Sequence, residues 1–304
     1  MNNLKTEYVN CNLCGSKKYK KMYTIKKSGY EFQIVKCQKC GLVFQNPRIK
    51  ESDIKKIYDK NYFNAKGFDR DYCIEAKRFD KFEIAKDIKR INVIEKFCKK
   101  GKMLEIGCAY GKFLYEAKKL GWKVYGLDIS PYPLRFARKH YKLYVKVGTL
   151  DTVKYPSNFF DCVVMIEVIE HLSNPKKTLE EVNRILKPNG LIVIQTSNID
   201  CLMSKLKGSA WGYYNFGHLY LFSRKTLKMY LNDTRFKLVK GFFGDEIGLK
   251  TRIKGYWLNK KVSITNFLKF CFYITSQLLR KFHIGEFSIG GMTFYAKKLK
   301  SNLD

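Results

Sequence analysis

The stretch from Met103 to Asp128 constrains this chain more than any other. It opens on a short apolar run, Met103-Leu-Glu-Ile106, followed by a loop bracketed by glycines, Gly107-Cys108-Ala109-Tyr110-Gly111. A helical segment from Phe113 to Leu120 leads into a second apolar run, Lys123-Val-Tyr-Gly-Leu-Asp128, and Pro131 to His140 continues the alternation. Short strands alternating with helices imply a parallel sheet with crossover helices. In such sheets ligands sit beyond the carboxyl ends of the strands, at the switch point of strand order. The loop at 107–111 falls at the first of those ends, and its glycines let the backbone approach a ligand closely. Asp128 closes the second strand about twenty residues on, where an acid can accept ribose hydroxyls.

A nucleotide-like cofactor follows, and the loop discriminates among the candidates. Dinucleotide sites want G-x-G-x-x-G, whereas this loop is G-x-x-x-G with Glu105 just before it, a poor cradle for a diphosphate. An acid at 105 suits a ligand that carries a sulfonium and an ammonium and no phosphate. The string Leu104 to Gly111 resembles the first motif of the class I S-adenosylmethionine-dependent methyltransferases, and Gly126-Leu-Asp128-Ile129-Ser130 resembles the second. Val147-Gly-Thr149-Leu150 is similar to the segment that flanks the adenine, Phe160 to Ile166 to the fourth strand, and Leu186-Lys-Pro-Asn-Gly190 to the turn before the fifth.

The resemblance spans residues 100–240 and implies a Rossmann-like, doubly wound α/β sheet of seven strands with an antiparallel last strand. It implies S-adenosyl-L-methionine bound through Glu105, Gly107, Cys108, Ala109, Gly111, Asp128, Ile129, Thr149, Leu150 and Glu167. Ala109 departs from the pattern, standing where the family usually has its middle glycine; alanine is the mildest replacement, and binding is expected to survive. Met292 to Lys297 reads as the last strand, set against Phe236 to Phe243.

Before this domain come two identical cysteine pairs, Cys11-Asn-Leu-Cys14-Gly and Cys37-Gln-Lys-Cys40-Gly. Each C-x-x-C turn points two sulfurs at one ion, and Gly15 and Gly41 can take the positive φ of the tight turn. With Tyr30 to Lys36 alternating like a strand between them, the segment reads as a small zinc ribbon. Four protein thiolates leave the ion no open position, so zinc here holds the fold and does no catalysis. Asn46-Pro47-Arg48 marks the exit, Glu51 to Tyr62 a short helix, and residues 70–99 a helix that packs Phe79, Phe82, Ile88, Ile91, Ile94 and Phe97 on a larger body. The expected organisation is a ribbon over 1–48, a helical linker over 49–100 and the methyltransferase domain over 101–304.

Directly after the fourth strand comes Glu167-Val-Ile-Glu170-His171. If it opens a helical turn, positions i, i+3 and i+4 share one face and bring two carboxylates and an imidazole together. Such a set, with His218 as a further ligand, can hold a hard divalent ion such as magnesium, which would chelate two neighbouring hydroxyls and lower the pKa of one. The pattern is similar to the Glu-x-x-Glu-His motif with a distant His in methyltransferases of the terminal ribose of small RNAs and of catechol-like ubiquinone precursors. Two other readings stay open: Glu170 and His171 acting as a base without metal, and a purely structural role.

From Asp200 to Phe222 an insert carries Trp211, Tyr213, Tyr214, Phe216 and Tyr220 among glycines, suited either to stacking on a sugar or base or to forming a packed lid. Residues 262–282 form an amphipathic helix with basic neighbours, for which a core or dimer contact competes with a membrane surface. Neither a signal peptide nor a long apolar run is evident, so a cytoplasmic enzyme, peripheral to the inner face of the membrane if that helix binds lipid, is expected. The 304 residues carry a net charge of +32, with lysine outnumbering arginine roughly fourfold over the whole chain. Such an excess reads first as solvated surface and second as a patch for a polyanion.

Taken over both ends, the strings Cys37-x-x-Cys40-Gly-Leu-Val-Phe-x-Asn-Pro47, Tyr58-x-x-Asn-Tyr62-Phe63 and His218-Leu-Tyr-Leu-Phe222-Ser223 resemble bacterial methyltransferases with an N-terminal zinc ribbon, many associated with surface-polysaccharide or other glycan pathways. That resemblance implies a saccharide or glycolipid acceptor methylated on a hydroxyl. A sugar C-methyltransferase, and an RNA methyltransferase that holds nucleic acid with ribbon and lysines, are the alternatives.

Overall fold

A computed structural model describes residues 4–27, 29–58, 60–63, 81–243 and 290–299. In the N-terminal part, β1 (Thr6–Glu7) pairs with β5 (Arg48–Ile49), and β2 (Tyr19–Lys27), β3 (Tyr30–Cys37) and β4 (Val43–Gln45) form an antiparallel meander. Two short helices follow, α1 (Glu51–Ile57) and α2 (Lys60–Phe63), where one continuous helix is expected from Glu51 to Tyr62. The break falls at Tyr58, whose ψ of 46° leaves the helical range. Helix α3 (Lys81–Glu95) supplies the packing helix, and the expected start of that helix at 70–80 lies outside the described residues.

The main body then alternates β6 (Lys102–Ile106), α4 (Lys112–Lys119), β7 (Lys123–Asp128), α5 (Pro131–Tyr141), β8 (Val145–Val147), α6 (Leu150–Val153), β9 (Phe160–Ile166), α7 (Pro175–Ile185) and β10 (Leu186–Ser197). Helix α8 (Leu202–Lys207), β11 (Tyr220–Leu221), α9 (Arg224–Asp233), β12 (Phe236–Phe243) and β13 (Gly291–Lys298) complete it. The large sheet has seven strands in the order β12-β13-β10-β9-β6-β7-β8. Strands β6 to β10 run parallel, and β13 inserts antiparallel to both β10 and β12, which is the class I methyltransferase arrangement.

Burial on both faces explains why the central strands read as continuous apolar runs rather than alternating ones. Along β9, Cys162 and Val164 enter one core while Val163 and Met165 enter the other; Leu191 and Val193 of β10 alternate with Ile192 and Ile194 in the same way. The first core gathers Ile91 and Ile94 of α3 with α4 and α5, and the second gathers α7 and α9.

The ribbon belongs to that second core: Leu13, Ile34, Leu42 and Phe44 are continuous with Ile192, Leu227 and Tyr230. Its sheet takes a fourth strand from far along the chain, in the order β11-β4-β3-β2, with Tyr220 opposite Phe44 and Leu221 opposite Val43. Arg48 closes the seam, donating to Glu7, to the Ser173 carbonyl at 2.6 Å and to the Tyr220 hydroxyl at 2.7 Å. Three aromatics of the insert serve this seam: Phe216 stacks on Tyr30 at 4.2 Å, Tyr214 meets Tyr23 at 5.6 Å, and Tyr220 lies against Phe44. Only Trp211 and Tyr213 of the five face the cavity described below. Residues 262–282 lie outside the described residues; among these, no helix is long and apolar enough to cross a membrane.

Candidate active site

At the carboxyl ends of β6, β7 and β9 opens a cavity of about 1570 Å³, larger than the ~300–1,000 Å³ of an ordinary small-molecule pocket and sufficient for a cofactor and an acceptor together. One half is built by the glycine loop. Gly107 and Gly111 both adopt φ of +71°, and a Cβ on Gly107 would strike Val168 while one on Gly111 would come 2.5 Å from Leu143. Ala109 holds φ of +44° with a Cβ, a conformation that glycine would adopt at less cost. What keeps it there is Asp128, whose Oδ2 accepts from the Ala109 amide at 2.9 Å while Oδ1 accepts from the Ser130 amide at 2.8 Å. Each oxygen retains capacity for a further donor such as a ribose hydroxyl.

Glu105 is buried beneath the loop, and its Oε2 has no hydrogen-bond partner. Burial, reinforced by the charge of Asp87, outweighs the nearby cations Arg90 and Lys112 and pushes its carboxyl well above the usual range. Ile129, Thr149, Leu150 and Glu167 line the same cavity, Thr149 capping α6. Cys108 contributes backbone, because its thiol packs into the core beside Gly126.

The other half is built by the segment after β9. Only Ile169–His171 forms a helical turn, of the 3₁₀ type, and Glu167 precedes it at φ of +53°. The expected single helical face therefore does not form, and Glu167 Oε1 accepts from Gln195 at 3.0 Å while its carboxylate still lies beside that of Glu170. Gln195 in turn receives Arg90 of α3. Glu170, His171 and His218 nevertheless converge, their donor atoms all within 4.8 Å of one another. Glu170 is fully buried, and neither of its oxygens has a hydrogen-bond partner. Burial and then the charge of Glu167 raise its carboxyl well above the usual range.

Both histidines are oriented by backbone. His171 Nδ1 lies 2.8 Å from the Gly217 carbonyl and His218 Nδ1 lies 2.8 Å from the Tyr213 carbonyl. A carbonyl only accepts, so each Nδ1 carries the proton and each Nε2 presents a lone pair. The Tyr58 hydroxyl sits 2.7 Å from His171 Nδ1, closing the ring from the α1 side. Burial lowers the pKa of His171 to about 3, helped by His218, and that of His218 to about 4, so both rings are neutral.

In the ribbon, the sulfurs of Cys11, Cys14, Cys37 and Cys40 likewise lie within 4.8 Å of one another, with Cys11 to Cys40 at 3.4 Å and Cys14 to Cys37 at 3.5 Å. A tetrahedral ion with metal–sulfur bonds of ~2.3 Å requires sulfurs about 3.8 Å apart, so the four thiols fit zinc closely. Gly15 and Gly41 adopt φ of +72° and +83° in the two turns.

A family described as "Methyltransferase domain" matches residues 60–240, more than half of the chain. The chain belongs to this family. The methyltransferase is 30% identical over 171 residues to an uncharacterized protein of Methanocaldococcus jannaschii, covering 54% of this chain and 80% of that one. It is 32% identical over 126 residues to the ubiquinone biosynthesis O-methyltransferase of Pelagibacter ubique, a match that spans 40% of this chain and about half of that enzyme, 52%. Among solved structures, a SAM-dependent methyltransferase from Archaeoglobus fulgidus is 25% identical, with a TM-score of 0.52 over 74% of this chain and 97% of the other. The protein is thus an S-adenosylmethionine-dependent methyltransferase.

Several contributors to this methyltransferase's site carry no signal in the sequence reading. Arg90, Gln195 and Gln45 reach the site only through tertiary contacts, while Tyr58 stands in the Tyr58-x-x-Asn-Tyr62-Phe63 string without any role attached to it there. Asp87 and Arg90, an i,i+3 pair on α3 that meets Lys112, is the one local pattern that marks α3 as facing the site.

Proposed function

We propose that the methyltransferase O-methylates one of two neighbouring oxygens of its acceptor, using a divalent ion on Glu170, His171 and His218. The observation that carries this reading is the pairing of a buried carboxylate without partners with two neutral imidazoles whose Nδ1 protons are tied to carbonyls. Metal-ligating histidines are characteristically oriented in that way. An imidazole with a pKa near 3 is a weak general base, which favours the ligand role over a metal-free base.

When bound, S-adenosylmethionine supplies an electrophilic methyl group, and a divalent ion lowers the pKa of the hydroxyl it ligates. The chain's own residues do the positioning. Asp128 would receive the ribose and Glu105 would supply negative charge to the cofactor's cationic end, while His171 and His218 at the cavity wall, with Glu170 buried behind them, would hold the acceptor oxygens through the ion. Trp211 and Tyr213 offer aromatic faces to the acceptor ring, and Tyr58 with Phe63 covers the cavity from the α1–α2 side.

The acceptor class that best joins these features with the ribbon's resemblance is a saccharide with adjacent hydroxyls, free or on a glycolipid. A catechol-type ring is the second reading, favoured by the similarity to ubiquinone O-methyltransferases. Purified protein incubated with labelled cofactor and separate glycan, lipid and RNA fractions should label glycan or glycolipid; labelling confined to RNA overturns the reading. Glu170→Ala and His171→Ala should each lower turnover at least a hundredfold with cofactor affinity unchanged, and full activity after chelation of divalent ions, with the ribbon ion retained, removes the ion from the mechanism.

A further inference from the structure

One fully buried polar side chain of the ribbon belongs to neither the cofactor site nor the cysteine cluster. Gln45 ends β4, and its Nε2 lies 2.7 Å from the Asn215 carbonyl, 3.2 Å from that of Phe216 and 2.9 Å from that of His218. Three acceptors around one atom require that atom to be the amide nitrogen, which fixes the orientation of the carboxamide. The Gln45 backbone adds a fourth tie, its amide donating to the Leu219 carbonyl at 2.9 Å. The loop so gathered, 215–219, carries His218 itself and the Gly217 carbonyl that orients His171; the Leu219 amide donates to the Glu170 carbonyl at 2.8 Å. All three residues of the triad are therefore referenced to this loop, and the loop to Gln45.

We infer that Gln45 is the positioning residue of the Glu170–His171–His218 triad, and that through it the ribbon, with its four-cysteine site, sets the geometry of the catalytic centre. The inference rests on the triad reading above but concerns a different residue and a different readout. Gln45 stands eight residues beyond Cys37 on the strand that β3 pairs with, Val35 lying opposite Phe44 and Ile34 opposite Gln45. A ribbon that loses its ion loses the anchor of that strand. The link between the two sites is thus one short β-strand and one carboxamide.

The test compares the full-length protein with Gln45→Met, which keeps length and burial but removes the donors. Imidazole ¹⁵N spectra taken without added divalent ion should show His171 and His218 each in one tautomer, protonated on Nδ1, in the parent protein. In Gln45→Met the same resonances should average between tautomers. Manganese affinity read by electron paramagnetic resonance should fall about tenfold or more, as expected when the partner that orients a ligand is removed. Cofactor affinity, read by calorimetry, should stay within about twofold. Unchanged tautomers and manganese affinity in a folded variant overturn the inference. If the variant does not fold, the parent protein decides: the Gln45 carboxamide protons should exchange at least about a hundredfold more slowly than free amide, and ready exchange overturns it. Should the parent bind manganese no better than His171→Ala does, the ion reading falls, while the tautomer comparison still decides the role of Gln45.

Discussion

Glu105 shows how one residue ties stability to ligand. Its carboxyl is buried and its pKa raised, so the unfolded chain releases the proton near pH 4.5 and the folded, cofactor-free protein releases it only at higher pH. Its contribution to stability is therefore complete below pH 4.5 and declines as pH rises toward the folded pKa. Glu105→Gln should remove that decline: urea denaturation of cofactor-free protein should show the variant gaining on the parent by up to about 1.4 kcal/mol per pH unit above that point. A constant difference between pH 5 and 8 would exclude it. Glu105 and Asp128 were legible because each stands at a fixed place in the strand–glycine loop–strand pattern, and the four cysteines because their spacing repeats. The roles of Gln45, Tyr58 and Gln195 were not, since they meet their partners at sequence separations of 170, 113 and 28, through side chains that follow no spacing rule. Glu167 was legible as a site residue but not in its direction, because its positive φ breaks the helical spacing from which its neighbours were grouped.

At the scale of elements, the turn from β6 into α4 works only with the turn that follows β9. Gly107 combines a left-handed backbone with a Cβ position already taken by Val168. Gly107→Ala should therefore cost stability and cofactor affinity together, and Val168→Ala in the same chain should restore part of both by clearing the collision. What remains should be the backbone strain alone, about 1–2 kcal/mol. Calorimetric cofactor titration and thermal melts of the three variants measure this, and no recovery in the double variant would place the cost elsewhere. The alternation from β6 to β10 was legible because strands buried on two faces and helices with one apolar stripe write different periods. The fourth ribbon strand was not: β11 is two residues long, too short for any period, and exists because β4 offers it an edge.

For the whole molecule, charge is the dominant scale. A net charge of +32 on 304 residues repels itself, and most of the ion pairs among the described residues are exposed or half-exposed lysine contacts of small worth. Raising monovalent salt from about 0.05 to 0.5 M shortens the screening length below 10 Å and should raise the melting temperature. A fall would mean that attractive pairs outweigh the repulsion. The seven-stranded body was legible as a class, while the merging of ribbon and body into one core was not. The sequence reading treats 1–48 as a unit because its cysteines are contiguous, yet its apolar face is completed by residues near 220. That seam has a consequence for how the chain is made. During synthesis the cysteine turns leave the ribosome long before the body does, but β4 keeps an open edge until Tyr220 and Leu221 have emerged, more than half of the 304 residues later. A segment translated ahead of the whole seven-stranded body is therefore finished only after most of that body has emerged.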